Sequence, residues 1–151
     1  MKQKFIDAHM KVAEIYSQLS SAVRLHVGAI IVKDDRIISI GYNGMPSGWD
    51  NNCEYVADVH PSDPRYDYNN FSKELRTKPE VLHAETNAIA KLAKSAESGD
   101  GASIFITHAP CLDCAKLVYQ SGINSVYYRN SYRNEDGIKF LENCKVKVTK
   151  V

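Results

Sequence analysis

Apolar positions along the chain alternate between two periods. Phe5, Val12, Ala13, Tyr16 and Leu19 fall at helical spacing and predict a helix over residues 4–19. Val27–Val32 and Arg36–Ile40 are β-rich runs, and Lys33-Asp34-Asp35 between them signals a hairpin. Gly41-Tyr42-Asn43-Gly44-Met45-Pro46-Ser47-Gly48 then breaks the pattern and reads as a loop with unusual backbone angles. From Trp49 to Pro79 the chain is polar and aromatic, with Pro61, Pro64, Tyr66, Tyr68, Asn69 and Asn70, and reads as one long loop over about 49–79. A loop of that length inside a compact domain is seldom an idle connection. Regular patterning returns as a helix at His83–Lys94, a strand at Ser103–Thr107 and a helix at Cys111–Ser121 stopped by Gly122. A strand at Ser125–Arg129, a short helix at Asp136–Asn143 and a strand at Val146–Thr149 follow. Strands alternating with helices predict an α/β layer sandwich.

Size and charge narrow the picture. The 151 residues suit one domain, 1–151, with a real hydrophobic core. Nineteen Lys and Arg against 18 Asp and Glu leave a net charge of +1. That balance gives no reason to expect nucleic acid as a partner, although a local basic pocket for one phosphate remains open. No apolar run approaches the roughly 20 residues that span a bilayer, so no membrane association is expected. The opening MKQKFIDAHMKVAEIY is amphipathic and unlike a secretory signal. A cytoplasmic location with reduced thiols is the expectation for the four cysteines.

Candidate chemistry concentrates in His83-Ala84-Glu85 and, 25 residues further on, Pro110-Cys111-Leu112-Asp113-Cys114. One His and two Cys supply three ligands to a zinc ion and leave a fourth position for water, the pattern of a catalytic site. Cys111 and Cys114, three apart on a helix, share a face, and Pro110 suits its first turn. Both sulfurs then sit at the positive end of a helix dipole, which favours thiolates. His83 and Glu85 are about 200° apart around an ideal helix, which is compatible with one site only if the pair straddles the helix start. Glu85 then acts as a proton shuttle while His83, Cys111 and Cys114 hold one zinc per chain. The bland alternative, a closed structural zinc, lacks a fourth ligand, since Cys53 and Cys144 have no partner spacing. H-x-E…P-C-x-x-C is the signature of zinc nucleobase deaminases.

Further segments extend the likeness. Val27-Gly28-Ala29, the Gly41–Gly48 loop, Thr77-Lys78-Pro79-Glu80-Val81-Leu82-His83-Ala84-Glu85-Thr86-Asn87-Ala88-Ile89 and Gln120-Ser121-Gly122-Ile123 resemble the deoxycytidylate (dCMP) deaminases, from about Ala22 to Val148. The resemblance implies a three-layer α/β/α sandwich with a mixed five-stranded sheet. It implies zinc hydrolysis of dCMP to dUMP and ammonia, supplying dUMP for thymidylate synthesis, in a homohexamer. It also implies dCTP as activator and dTTP as inhibitor, with Mg2+ on the triphosphate. A tRNA adenosine deaminase shares the metal chemistry, and a non-catalytic zinc-stabilised nucleotide-binding protein is the reading from another class.

The same resemblance assigns substrate contacts to Asn43, Ala84, Ala109 (through its carbonyl) and Tyr132 (by stacking on the base). Candidates for an effector nucleotide are Arg24, which resembles a basic position of the relatives, Lys78 just before the metal helix, and Gly44, in a loop whose glycines let backbone amides approach phosphates. His108 is read as either a functional residue or a packed, supporting one, and Arg65, Lys73, Arg129 and Arg133 are weaker phosphate candidates. Some relatives carry a second, structural zinc; here Ser21-Ala22-Val23-Arg24 has no Cys, so one metal is expected although Cys53 and His60 remain.

Overall fold

A computed structural model describes residues 1–69 and 72–151; Asn70 and Phe71, within the polar stretch, lie outside the described residues. The elements are α1 (Gln3–Ser17), β1 (Gly28–Lys33), β2 (Arg36–Tyr42), β3 (Glu54–Asp58), β4 (Lys73–Thr77), α2 (Ala84–Ala93), β5 (Ser103–His108), α3 (Leu112–Gln120), β6 (Ser125–Asn130), α4 (Asp136–Asn143) and β7 (Lys147–Lys150). A five-stranded sheet runs β2-β1-β5-β6-β7. β1 pairs antiparallel with both β2 and β5, whereas β5–β6 and β6–β7 are parallel, so the sheet is mixed as expected.

Period-two alternation along the central strands divides the core. Ala29, Ile31, Ile104, Ile106 and Val126 point to one face, where they pack on Ala84, Ala88 and Leu92 of α2, Ala115 and Val118 of α3, and Leu141 of α4. Ile30, Val32, Phe105 and Tyr127 point to the other face and meet Ile6, Met10 and Ala13 of α1. Those α1 residues recur at helical spacing, and burial of that stripe is what secures a helix with no side-chain cap at its start. One helix thus covers one face and three cover the other, giving the three layers. The β1–β2 hairpin turns at Asp34 and Asp35, both at positive φ (51° and 57°), the geometry of a two-residue turn that follows the strand twist.

The polar stretch over about 49–79 departs from expectation. It is not one loop: β3 and β4 form an antiparallel hairpin in register from Glu54 opposite Thr77 to Asp58 opposite Lys73. Most of its side chains are exposed on both faces, so no alternation of apolar and polar residues marks the strands in the sequence. Cys53 anchors the hairpin from within a small buried cluster with Ala22 and Val81, and its carbonyl accepts from Lys78 N at 2.9 Å. Among the described residues, no helix is long and apolar enough to cross a membrane.

Candidate active site

Two helix starts and the C-terminal ends of the parallel strands β5 and β6 meet at one place. His83 is the N-cap of α2 and still extended (φ −75°, ψ 155°), while Glu85 lies in the first turn. The helix entry resolves the angular conflict between the two residues in the way their spacing demands. Cys111 is likewise the extended N-cap of α3, with Cys114 inside its first turn. His83 Nδ1 lies 3.3 Å from Cys114 Sγ and 3.7 Å from Cys111 Sγ. The three ligand atoms all fall within 4.8 Å of one another. One imidazole and two sulfurs form a donor set that suits a borderline-soft, tetrahedral ion. Two thiolates would cancel the charge of a divalent cation, so the residues fit zinc.

The electrostatics match. The Cys114 thiol and His83, both hydrogen-bonded to Cys111, bring the Cys111 thiol down to about 4. Cys114 is pushed up by its bond to Cys111 and by burial. His83 is raised, chiefly through its bond to Cys111. Glu85 is 3% exposed, and burial lifts its carboxyl to about 7. A carboxyl held there can both accept and release a proton near neutrality. His108 is lowered by burial, its Nδ1 sits 3.1 Å from Thr107 Oγ1, and it lines the same pocket as His83 and Glu85.

A pocket of about 80 Å³ forms in front of this group, lined among others by Asn43, Glu54, His83, Ala84, Glu85, Ala109 and Tyr132. All four residues expected at the substrate therefore converge with the metal group. Asn43 also braces the fold: its Oδ1 accepts from Val27 N and its Nδ2 donates to Leu25 O, both at 2.8 Å. One lone pair and one N–H remain for a ligand. Ala109 donates its N–H to Asn130 O (2.8 Å), so any contact it offers is through its carbonyl.

A second, larger cleft of about 620 Å³ adjoins the pocket and shares Thr77, His83 and Tyr132 with it. Arg24, Arg65, Arg76 and Arg133 line it. Arg65 is paired with Asp63 and Glu74, and Arg76 with Glu74. Hydrogen bonds from Arg65 hold the Asp63 carboxyl at about 2, and those from Arg76 lower Glu74. Arg24 reaches Thr77 Oγ1 at 3.2 Å, and neither it nor Arg133 enters an ion pair among the described residues.

Other candidates scatter. Arg129 bonds Glu14 at 3.0 Å, away from the pocket, and Lys73 is exposed at the start of β4. Lys78 pairs with Asp50 at 3.7 Å. Gly44 exchanges both backbone hydrogen bonds with Leu82 (3.1 and 2.9 Å) and lines a separate cleft with Lys91 and Lys94. Arg24 and Gly44 line different clefts. Cys53 lies 3.5 Å from Ser21 Oγ, whereas His60 is exposed and bonded to Ser62. Glu54 and Arg76 enter the two cavities without a signal in the sequence, because they belong to a hairpin that no pattern marks.

Comparison with known proteins points the same way. The family model described as the cytidine and deoxycytidylate deaminase zinc-binding region matches residues 3–130. Deoxycytidylate deaminase of Enterobacteria phage T4 is 34% identical, the alignment covering 94% of this chain and 87% of that protein. Human deoxycytidylate deaminase is 38% identical over 84% of this chain and 66% of its own length. The crystal structure of dCMP deaminase from cyanophage S-TIM5 in complex with dCMP and dUMP is similar with a TM-score of 0.84 and 45% identity, covering 100% of this chain and 99% of that one.

Proposed function

The chain belongs to the cytidine and deoxycytidylate deaminase family and is a hydrolytic deaminase, and from that premise we propose that it converts dCMP and water to dUMP and ammonia. The observation that carries the choice of a nucleoside monophosphate is the junction of the metal-capable pocket with the arginine cleft through Thr77, His83 and Tyr132. A pyrimidine reaching Glu85 places its 5′-phosphate among arginines, of which Arg24 and Arg133 have charge to offer.

In this reading His83, Cys111 and Cys114 hold the zinc ion. Bound there, it supplies Lewis acidity that brings the pKa of water near neutrality. Glu85 takes a proton from the attacking water and passes it to the ring nitrogen N3. It then takes the proton of the new C4 hydroxyl and delivers it to the exocyclic amine, so the C4 carbonyl forms as the C4–N bond breaks and ammonia leaves. The Ala109 carbonyl accepts from that amine, Ala84 and Asn43 wall the pocket, and Tyr132 stacks on the base.

The reading extends to regulation: dCTP activates and dTTP inhibits, each with Mg2+, in a homohexamer. The magnesium, the effectors and the assembly rest on the family resemblance. A cleft near Lys91 and Lys94 shares Asn43 with the substrate pocket and offers a route for coupling between an anionic effector and the substrate.

The deciding experiment measures ammonia release from dCMP, dCDP, deoxycytidine, cytidine and an anticodon stem-loop. Clear preference for dCMP is expected. Preference for the stem-loop, or equal turnover of deoxycytidine, would overturn the proposal. Saturation curves with either triphosphate, beside a mass measurement in solution, test the regulatory part.

A further inference from the structure

Glu54, the first residue of β3, is 4% exposed and lines the metal-capable pocket. Its Oε1 is fully engaged, accepting from Val23 N at 3.0 Å and Arg24 N at 3.1 Å. Its Oε2 is buried and has no hydrogen-bond partner among the described residues. Leaving a buried carboxylate oxygen unpaired costs about 1–3 kcal/mol or more, so such an atom is retained where something else donates to it.

Position narrows what that donor is. Glu54 stands directly opposite Thr77 in the β3–β4 register, and directly opposed residues share one face of a hairpin. Thr77 lines both the pocket and the arginine cleft, and Arg24, whose amide holds Glu54, lines the cleft. Glu54 is therefore at the boundary of the two cavities. A nucleotide with its base toward Glu85 and its phosphate among the arginines has its sugar at that boundary. A carboxylate repels the phosphate and accepts only from donors. The amine of cytosine is engaged at the Glu85 end, which leaves the sugar hydroxyl as the donor within reach.

We propose that Glu54 is a specificity-determining residue that accepts a hydrogen bond from the 3′-hydroxyl of the deoxyribose. The inference rests on the dCMP reading above. Its amide bonds to Val23 and Arg24 fix the carboxylate before substrate arrives, so the hydroxyl meets a prepared acceptor.

The test compares kcat/KM for dCMP with that for 2′,3′-dideoxycytidine monophosphate, in the zinc-loaded wild type and in Glu54→Gln and Glu54→Ala. A hydrogen bond to a charged acceptor predicts that the wild type prefers dCMP by about 10–100-fold. Glu54→Gln keeps an oxygen for the Val23 and Arg24 amides, so it preserves the local fold while replacing the second acceptor by a donor. Its preference is expected to fall several-fold, and that of Glu54→Ala to fall toward unity. An undiminished preference in the Gln variant, folded and zinc-loaded, overturns the proposal, as does a wild type that treats both substrates alike. Should Glu54→Ala fail to fold, the Gln variant decides. Wild-type protein that does not deaminate dCMP at all would instead refute the activity itself, and this inference with it.

Discussion

Gly41 and Ala84 lie closer than any side chain permits: a Cβ built on Gly41 would stand 2.1 Å from the Ala84 carbonyl oxygen and 2.6 Å from Ala88 N. The end of β2 is thereby pressed onto the start of α2. This contact sets how far His83 and Glu85 stand from the Asn43 loop. Two side-chain bonds reinforce it, from Asn87 Nδ2 to Tyr42 O at 2.7 Å and from Ser39 Oγ to Ala88 O at 2.6 Å.

Gly41→Ala is therefore expected to destabilise the protein by at least the ~1–3 kcal/mol typical of overpacking, because both neighbours are backbone and cannot rotate away. Urea unfolding measures the loss. A variant with wild-type stability and activity would show that α2 is not pinned at this point.

Cys114→Ser and His83→Ala are expected to lose metal. Elemental analysis of the purified wild type should give one zinc per chain, and either variant well under half of that. Removal of the ion from the wild type with a strong chelator should abolish activity, and added zinc should restore it. Full zinc occupancy in Cys114→Ser would remove this residue from the ligand set.

Glu85→Gln is expected to keep zinc and fold but to lose at least the ~10²–10⁴-fold in kcat that a general acid–base group contributes. The change preserves shape and replaces only the capacity to carry a proton. Near-wild-type turnover would place the shuttle elsewhere.

Arg24→Ala and Arg133→Ala separate phosphate binding from chemistry. Each should raise KM for dCMP about tenfold or more while leaving the slow turnover of deoxycytidine unchanged, since a nucleoside has no phosphate to lose. A comparable loss on both substrates would mean that the arginines shape the pocket instead.

His9 gives a pH dependence remote from the active site. Its ring packs 5.2 Å from that of Phe105, its Nε2 is buried without a partner among the described residues, and burial lowers its pKa. The unfolded chain binds the proton first, at the ordinary value of 6.5, so stability is intact above that pH and falls as pH drops below it toward the lower folded value. His9→Phe should flatten the slope of unfolding free energy between pH 7.5 and 5.5 relative to wild type. An unchanged slope would assign the acid sensitivity to other groups.

The sequence by itself determined the layered frame and the reactive centre. Gly28–Lys33 and Ser103–His108 are buried on both faces, so their unbroken apolar runs reveal them. His83, Glu85, Cys111 and Cys114 were legible because each pair is set by a helix start, a local feature that residue spacing encodes directly. The β3–β4 hairpin was hidden, because strands exposed on both sides carry no alternation and gain their order from the register of Glu54 opposite Thr77. Only the tertiary structure could bring Arg24, Arg65, Arg76 and Arg133 to one cleft, or show that Gly44 has already given its amide to Leu82. Those relations join residues far apart in the chain, and they are decided by packing geometry, which leaves no period or spacing in a single sequence.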